Sequence, residues 1–505
     1  MKILMLASEA VPLAKTGGLG DVVGTLSVQL ARLGHEVRLV LPRYKDVETG
    51  PVALQEVHAV TVPLRGAQLE VGIETGMLPD GKVSVACIRY DPFFARSGPY
   101  GEAGSDYPDN LDRFALFCRA ALEACKELGW KPDVLHAHDW QTALAVVYLK
   151  TLYLSDSTWT APRTLFTIHN MGYQGLFPAT EYVATGLPWS AYSMDGLEFH
   201  GQVSLLKGGL IYADLLNTVS PTYAQEIQTA DFGYGLEGVL QARKDRLFGI
   251  LNGIDYGAWN PNADPHLTAH YTAKDQTGKK ACKTALCHEL NLPGRDVPLV
   301  GLVSRLVAQK GIDMLLEMLP KLLTLDVQMV VLGSGDPAYE TALTSLSERY
   351  PEKLAVRLGF DEALAHRIEA GADLFLMPSR YEPCGLNQLY SLRYGTVPVV
   401  RATGGLADTI IPYLPGQAGK TATGFAFESA HPEVLLRTLH LALQVYRDKR
   451  EWTALIRRGM QQDFSWKRSA KSYVKLYERA LALKQRGRES FTDSSWVIKA
   501  PDPFS

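Results

Sequence analysis

The chain is expected to fold as two α/β domains, each a doubly wound parallel sheet covered by helices. Short apolar runs bounded by polar or glycine turns alternate with longer segments of helical period, the pattern of parallel strands buried on both faces. The 505 residues, 46% of them hydrophobic, exceed one ordinary domain and suffice for more than one core.

In the first half, strand runs fall at 3–7, 37–41, 83–88, 134–136, 164–168 and 215–219. Between them, 111–128 carries the clearest helical stripe. Leu111, Phe114, Ala115, Phe117, Cys118, Leu122 and Cys125 share one face, which makes both cysteines core residues. A second series follows Asn252-Gly253, at 299–303, 328–332, 355–358, 374–377 and 397–400. Segment 254–298 is rich in Asn, Asp, Pro and Lys and lacks a clear period, so the domain boundary is placed near its start, giving domains of 1–252 and 253–465. Residues 486–505 form a polar, proline-containing tail expected to be poorly ordered.

Lys plus Arg total 51 against 54 for Asp plus Glu, a net charge of −3, which suggests neither a nucleic-acid partner nor an anionic membrane surface. No apolar run approaches the roughly 18 residues of a membrane-spanning helix. The apolar run 2–7 is cut short by Glu9, before a signal-peptide core develops. Six scattered cysteines without a Cys-x-x-Cys pair argue against zinc sites and a disulfide framework, and fit a reducing cytoplasm.

Four glycine-containing or cationic segments stand at strand ends, where ligands of doubly wound sheets bind. The first, Lys15-Thr16-Gly17-Gly18-Leu19-Gly20-Asp21, opens a helix; its glycines let backbone N–H groups approach an anion and Lys15 adds a mobile charge. For the glycines alone, a bare strand-to-helix turn is an equal reading. The second, Arg305 to Gly311, places Arg305 and Lys310 where they would neutralise a diphosphate leaving group; as single cations they would be ordinary solvated charges, and their pairing favours function. No Asp-x-Asp occurs, so no metal is expected to do that work.

The third, Arg380 to Gln388, holds Glu382, Cys384, Gly385 and Leu386 in a turn leading into a helix. Glu382 suits both sugar hydroxyls and helix capping. The fourth, Thr403-Gly404-Gly405-Leu406-Ala407-Asp408, is a further glycine turn. In the first half, His136-Ala137-His138-Asp139-Trp140 and Thr167-Ile168-His169-Asn170 end successive strands. A lone histidine there is more often structural, yet Asp139 and His169 are near enough in topology to meet a sugar's reacting face.

In this order, and over residues 1 to about 480, these motifs resemble the bacterial glycogen synthases and plant starch synthases that use ADP-glucose. The resemblance implies the GT-B architecture, two Rossmann-like domains facing a deep cleft, with a helix near 466–485 crossing back to the first domain. It implies retaining transfer of glucose from ADP-glucose to an α-1,4-glucan, without metal or cofactor. Lys15, Gly17, Gly18, Asp21, Arg305 and Lys310 would hold the donor's diphosphate end. Glu382, Cys384, Gly385, Leu386, Thr403 and Gly404 would contact the transferred glucose and its phosphates. Asp139 and His169 would lie beside the anomeric carbon, Phe360 would stack on adenine, and Glu9 and Asn252 would line the cleft. Tyr390 stands where related enzymes carry a ribose-binding Glu. Rivals are a transferase acting on a lipid or small-sugar acceptor, a non-catalytic nucleotide or glucan sensor, and a phosphorylase, which would require pyridoxal phosphate.

Overall fold

The computed structural model describes residues 1–45, 47, 52–102, 104–414 and 421–483, so the expected tail lies outside it. The first sheet is built from β1 (Lys2–Leu6), β2 (Glu36–Pro42), β3 (Gln55–Leu64), β4 (Ala67–Met77), β5 (Ser84–Arg89), β6 (Val134–His138), β7 (Arg163–Ile168), β8 (Leu215–Thr218) and β9 (Leu247–Gly249). Their order is β9-β8-β7-β6-β1-β2-β5-β4-β3. The strands from β9 to β5 are parallel, and at the edge β4 runs antiparallel to both its neighbours, β5 and β3. The central strands are apolar because both faces are covered; Ile3, Leu4, Met5 and Leu6 are all fully buried.

The second sheet comprises β10 (Leu299–Val303), β11 (Gln328–Gly333), β12 (Leu354–Leu358), β13 (Leu374–Met377), β14 (Val397–Arg401) and β15 (Phe425–Phe427). Its order, β12-β11-β10-β13-β14-β15, is all parallel and reverses direction between β10 and β13, the arrangement of a dinucleotide-binding Rossmann sheet. Two Rossmann-like sheets, each covered by helices, are the arrangement expected of the GT-B architecture.

The helices that matter for the cleft are α1 (Gly18–Arg32), α2 (Asn110–Glu127), α3 (Asp139–Leu149), α4 (Pro221–Glu226), α5 (Ile312–Leu322), α6 (Asn387–Tyr394), α7 (Gly404–Thr409) and α8 (Trp466–Ala482). The stripe expected at 111–128 is α2, and Cys118 and Cys125 are fully buried in it. Helix α8 rejoins the first core, where Trp466, Ala470, Tyr473 and Tyr477 pack with residues of β1 and β6. No helix among the described residues is long and apolar enough to cross a membrane.

The chain passes between the two cores twice, side by side. Ile254 N–H donates to Phe464 O at 2.9 Å, and Ile254 bridges Ser465. A Cβ on Gly253 would lie 2.5 Å from Trp466 N, so the close approach requires glycine there. Four strands of the two sheets leave no clear apolar run in the sequence. The β3–β4 hairpin alternates polar with apolar because one face is open, and β9 and β15 are only three residues long.

Candidate active site between the two sheets

Loops after β1, β6 and β7 of the first sheet face loops after β10, β13 and β14 of the second. Several contacts bridge them: Arg305 Nη1 donates to Tyr173 OH at 3.2 Å, and the Tyr381 hydroxyl meets the side chains of Asn170 and Tyr234. The Cys384 thiol meets the backbone of Asn252, and burial pushes that thiol up to about 12. Asn252 is itself buried, and its Oδ1 finds no hydrogen-bond partner among the described residues.

On the first-sheet side, Glu9 organises the loop after β1. Its carboxylate accepts from the N–H and hydroxyl of Thr16 (2.7 Å for the hydroxyl), the N–H of Gly17 at 3.3 Å and the Tyr100 hydroxyl at 2.5 Å. Glu9 is a buried anchor of the loop, and the N–H of Gly17 is already spent on it, so the free backbone donors begin at α1, whose N terminus has no side-chain cap. Lys15 is likewise partnered, with Nζ 2.9 Å from Asp21 Oδ1. Burial raises the Asp21 carboxyl despite the nearby ammonium.

Deeper in the cleft, Asp139 occupies a left-handed conformation (φ 56°) where β6 passes into α3. Few side chains tolerate that region, and Asp is among those that do. Its Oδ1 accepts the backbone N–H of His169 at 2.7 Å, tying the ends of β6 and β7 together. Burial lifts its carboxyl to about 7, against the backbone hydrogen bonds that oppose it. His169 is held to about 3 by burial, and its Nε2 lies 2.9 Å from His138 Nδ1.

On the second-sheet side, Glu382 is buried between Lys310 Nζ (2.5 Å) and Ser379 Oγ (2.9 Å). Lys310, expected to meet a diphosphate, pairs here with the Glu382 carboxylate of the loop after β13. Arg305 differs: its guanidinium meets Tyr173 OH and Gln309 Oε1, and no carboxylate among the described residues pairs with it. Leu386 precedes α6 without a side-chain cap, and Gly18 of α1 lies against it, since a Cβ on Gly18 would stand 3.8 Å from Leu386 Cδ1. Two uncapped helix N termini from opposite sheets therefore meet at one place. Gly385 adopts φ 71°, which shapes the turn into α6.

Three expected residues are placed differently from the sequence reading. Thr403 Oγ1 and Gly404 N–H donate to Glu226 of α4 at 2.9 and 3.0 Å, so both groups serve an interdomain contact. Thr222 strengthens it by donating its N–H and hydroxyl to Asp408 at 2.9 and 2.7 Å. Tyr390 is buried, with its ring stacked on Trp259 at 3.7 Å, which in turn stacks on His366 at 3.7 Å; that is core packing behind α6. Phe360 is 84% exposed, a bare ring at the end of β12. Sequence reading missed Glu226, Thr222, Tyr173 and Tyr100, because partners distant in sequence leave no local signal.

Comparison with known proteins gives consistent results. Residues 2–242 match the starch synthase catalytic domain, and residues 290–456 match glycosyl transferases group 1. The chain is 50% identical over 479 residues to a glycogen synthase of Anaeromyxobacter dehalogenans (strain 2CP-C), covering 94% of this chain and 99% of that protein. It is 48% identical over 485 residues to a glycogen synthase of Syntrophotalea carbinolica, covering 96% and 99%. Among solved structures, the catalytic domain of starch synthase IV from Arabidopsis thaliana, bound to ADP and acarbose, matches with a TM-score of 0.88 at 36% identity, covering 95% of this chain and 99% of that one. Sucrose-phosphate synthase from Thermosynechococcus elongatus shares the fold at a TM-score of 0.60 and 17% identity.

Proposed function

Because the chain belongs to the glycogen and starch synthases, we propose that it moves glucose from ADP-glucose to the non-reducing end of an α-1,4-glucan with retention at the anomeric carbon. The observation that carries this reading is the meeting of two uncapped helix N termini, at Gly18 and at Leu386–Asn387. Backbone N–H groups and the positive ends of two helix dipoles converge there, which suits one diphosphate bridging the domains. The bound ADP of the related starch synthase supports adenine as the base, with Phe360 exposed to stack on it.

The proposed division of labour follows the electrostatics. Departure of ADP develops charge on the β-phosphate, and Arg305, which no carboxylate among the described residues pairs with, answers it together with the α1 and α6 termini. Lys310, neutralised by Glu382, contributes by holding that carboxylate toward the sugar hydroxyls and by lending its remaining N–H groups to the phosphate. Lys15 and Asp21 close the site from the first domain. Asp139 and His169, tied together at 2.7 Å, border the anomeric carbon, and the acceptor's 4-hydroxyl attacks from the face that ADP leaves. The domains 1–252 and 253–465 would close about the paired crossings at 253–254 and 464–466, expelling water. The six cysteines are all buried free thiols, which supports placement in a reducing cytoplasm.

Labelled ADP-glucose and glycogen test this directly. Label should enter glycogen and be released by an exo-acting α-1,4-glucosidase, with UDP-glucose at least about 10-fold poorer, a difference of about 1.4 kcal/mol. No incorporation, or preference for UDP-glucose, would overturn it.

A further inference from the structure

Behind the cleft, a row of buried groups leads from β1 to His169. We propose that Met5 and His138 are positioning residues that fix the tautomer of His169, so that its Nε2 carries the proton and its Nδ1 faces the cleft as a hydrogen-bond acceptor. The functional consequence rests on reading His169 as a contact of the reacting sugar; the tautomer itself does not.

The strand order builds the row. β1 and β6 are parallel neighbours, as are β6 and β7, so Met5, His138 and His169 stand on adjacent strand ends. His138 Nε2 lies 2.9 Å from Met5 Sδ, and His138 Nδ1 lies 2.9 Å from His169 Nε2. A thioether sulfur has no proton and accepts only, so the hydrogen in the first contact belongs to His138 Nε2.

His138 is fully buried and its pKa is driven down, first by desolvation and then by the neighbouring histidines, so the ring is neutral with one proton. Its Nδ1 is therefore a lone pair, and the hydrogen in the second contact must come from His169 Nε2. His169 is neutral for the same reason, which leaves its Nδ1 unprotonated. The opposite order would set two lone pairs, His138 Nε2 and Met5 Sδ, face to face with no hydrogen between them.

The plane of His138 is held from the other side. His136 lies on it with ring centroids 4.0 Å apart, and is itself pinned by Tyr477 OH of α8 at 2.8 Å and Thr167 Oγ1 at 2.7 Å. Among the described residues no protein donor meets His169 Nδ1, so its acceptor is available to a sugar hydroxyl.

The test uses protein labelled with 15N-histidine, with His169 assigned by its loss in His169→Gln. The wild-type enzyme should show a protonated-type Nε2 and an unprotonated-type Nδ1 for His169. Met5→Leu conserves volume but removes the sulfur acceptor; it should mix the His169 tautomers and lower kcat about 10-fold, with the donor KM changed less than about twofold. Protonation of His169 at Nδ1 in the wild type, which needs no variant to fold, would overturn the proposal, as would an unchanged tautomer in Met5→Leu. A shifted tautomer with unchanged kcat would uphold the relay and overturn the placement of His169 at the reacting sugar.

Discussion

Gly18 in the first domain and Leu386 in the second stand against each other across the cleft, close enough that one added methyl on Gly18 would touch the Leu386 side chain at 3.8 Å. That spacing is ordinary van der Waals contact, so Gly18→Ala should be accommodated with activity within about threefold of wild type. Gly18→Leu would fill the gap between the two helix termini and should lower kcat/KM for ADP-glucose on the order of 10²-fold, because sub-ångström placement of the diphosphate is lost. Steady-state kinetics with the three proteins checks the contrast.

Arg305 and Lys310 should separate in their effects. Arg305 is exposed and has no carboxylate partner among the described residues, so Arg305→Ala should cost about 10²–10³ in kcat with little change in melting temperature. Removing Lys310 strands the buried Glu382 with Ser379 alone, so Lys310→Ala should lose activity and also on the order of 2 kcal/mol of stability. Calorimetry beside kinetics reads both, and equal melting temperatures for the two variants would refute the pairing argument.

Asp139 gives a signed pH dependence. Its carboxyl is raised from 3.8 to about 7 in the folded protein, chiefly by burial, so the native state holds a proton that the unfolded chain releases. The associated stability is complete below about pH 3.8 and is lost as pH rises through 7. Asp139→Asn keeps an oxygen to accept the His169 N–H and cannot ionise. It should therefore be more stable than wild type at pH 8, by on the order of 4 kcal/mol, with the advantage vanishing near pH 4, while its transferase activity falls. Denaturant melts at the two pH values decide.

The contact from Glu226 to Thr403 and Gly404 joins the two domains. Glu226→Ala should unpair both donors, cost about 1–2 kcal/mol, and enlarge the radius of gyration of the ligand-free enzyme in X-ray scattering. Unchanged scattering would show that the neighbouring Thr222–Asp408 contact holds the domains unaided.

Much of the scaffold is legible in the sequence because parallel strands are buried on both faces and so appear as continuous apolar runs; 299–303 and 374–377 coincide with β10 and β13. The half-open β3–β4 hairpin alternates and is harder to see. For the site, residue types at strand ends locate the cleft, but not how charges pair within it. Lys15, Lys310 and Gly17 look like free donors in sequence and are each engaged by a carboxylate, since a cation or N–H near Asp21, Glu382 or Glu9 gains more by pairing than by facing water. Likewise, nothing local in Tyr390 betrays its stacking on Trp259, 131 positions earlier in the chain.

The central claim is that one diphosphate is bound jointly by the α1 and α6 N termini and Arg305. A crystal structure of the enzyme trapped with ADP tests it most directly. The β-phosphate should lie within hydrogen-bond distance of backbone N–H groups at Gly18 and at Leu386 or Asn387, with the Arg305 guanidinium swung from Tyr173 onto it. ADP bound through one domain alone, with Gly18 and Arg305 both out of reach of its phosphates, would contradict the account.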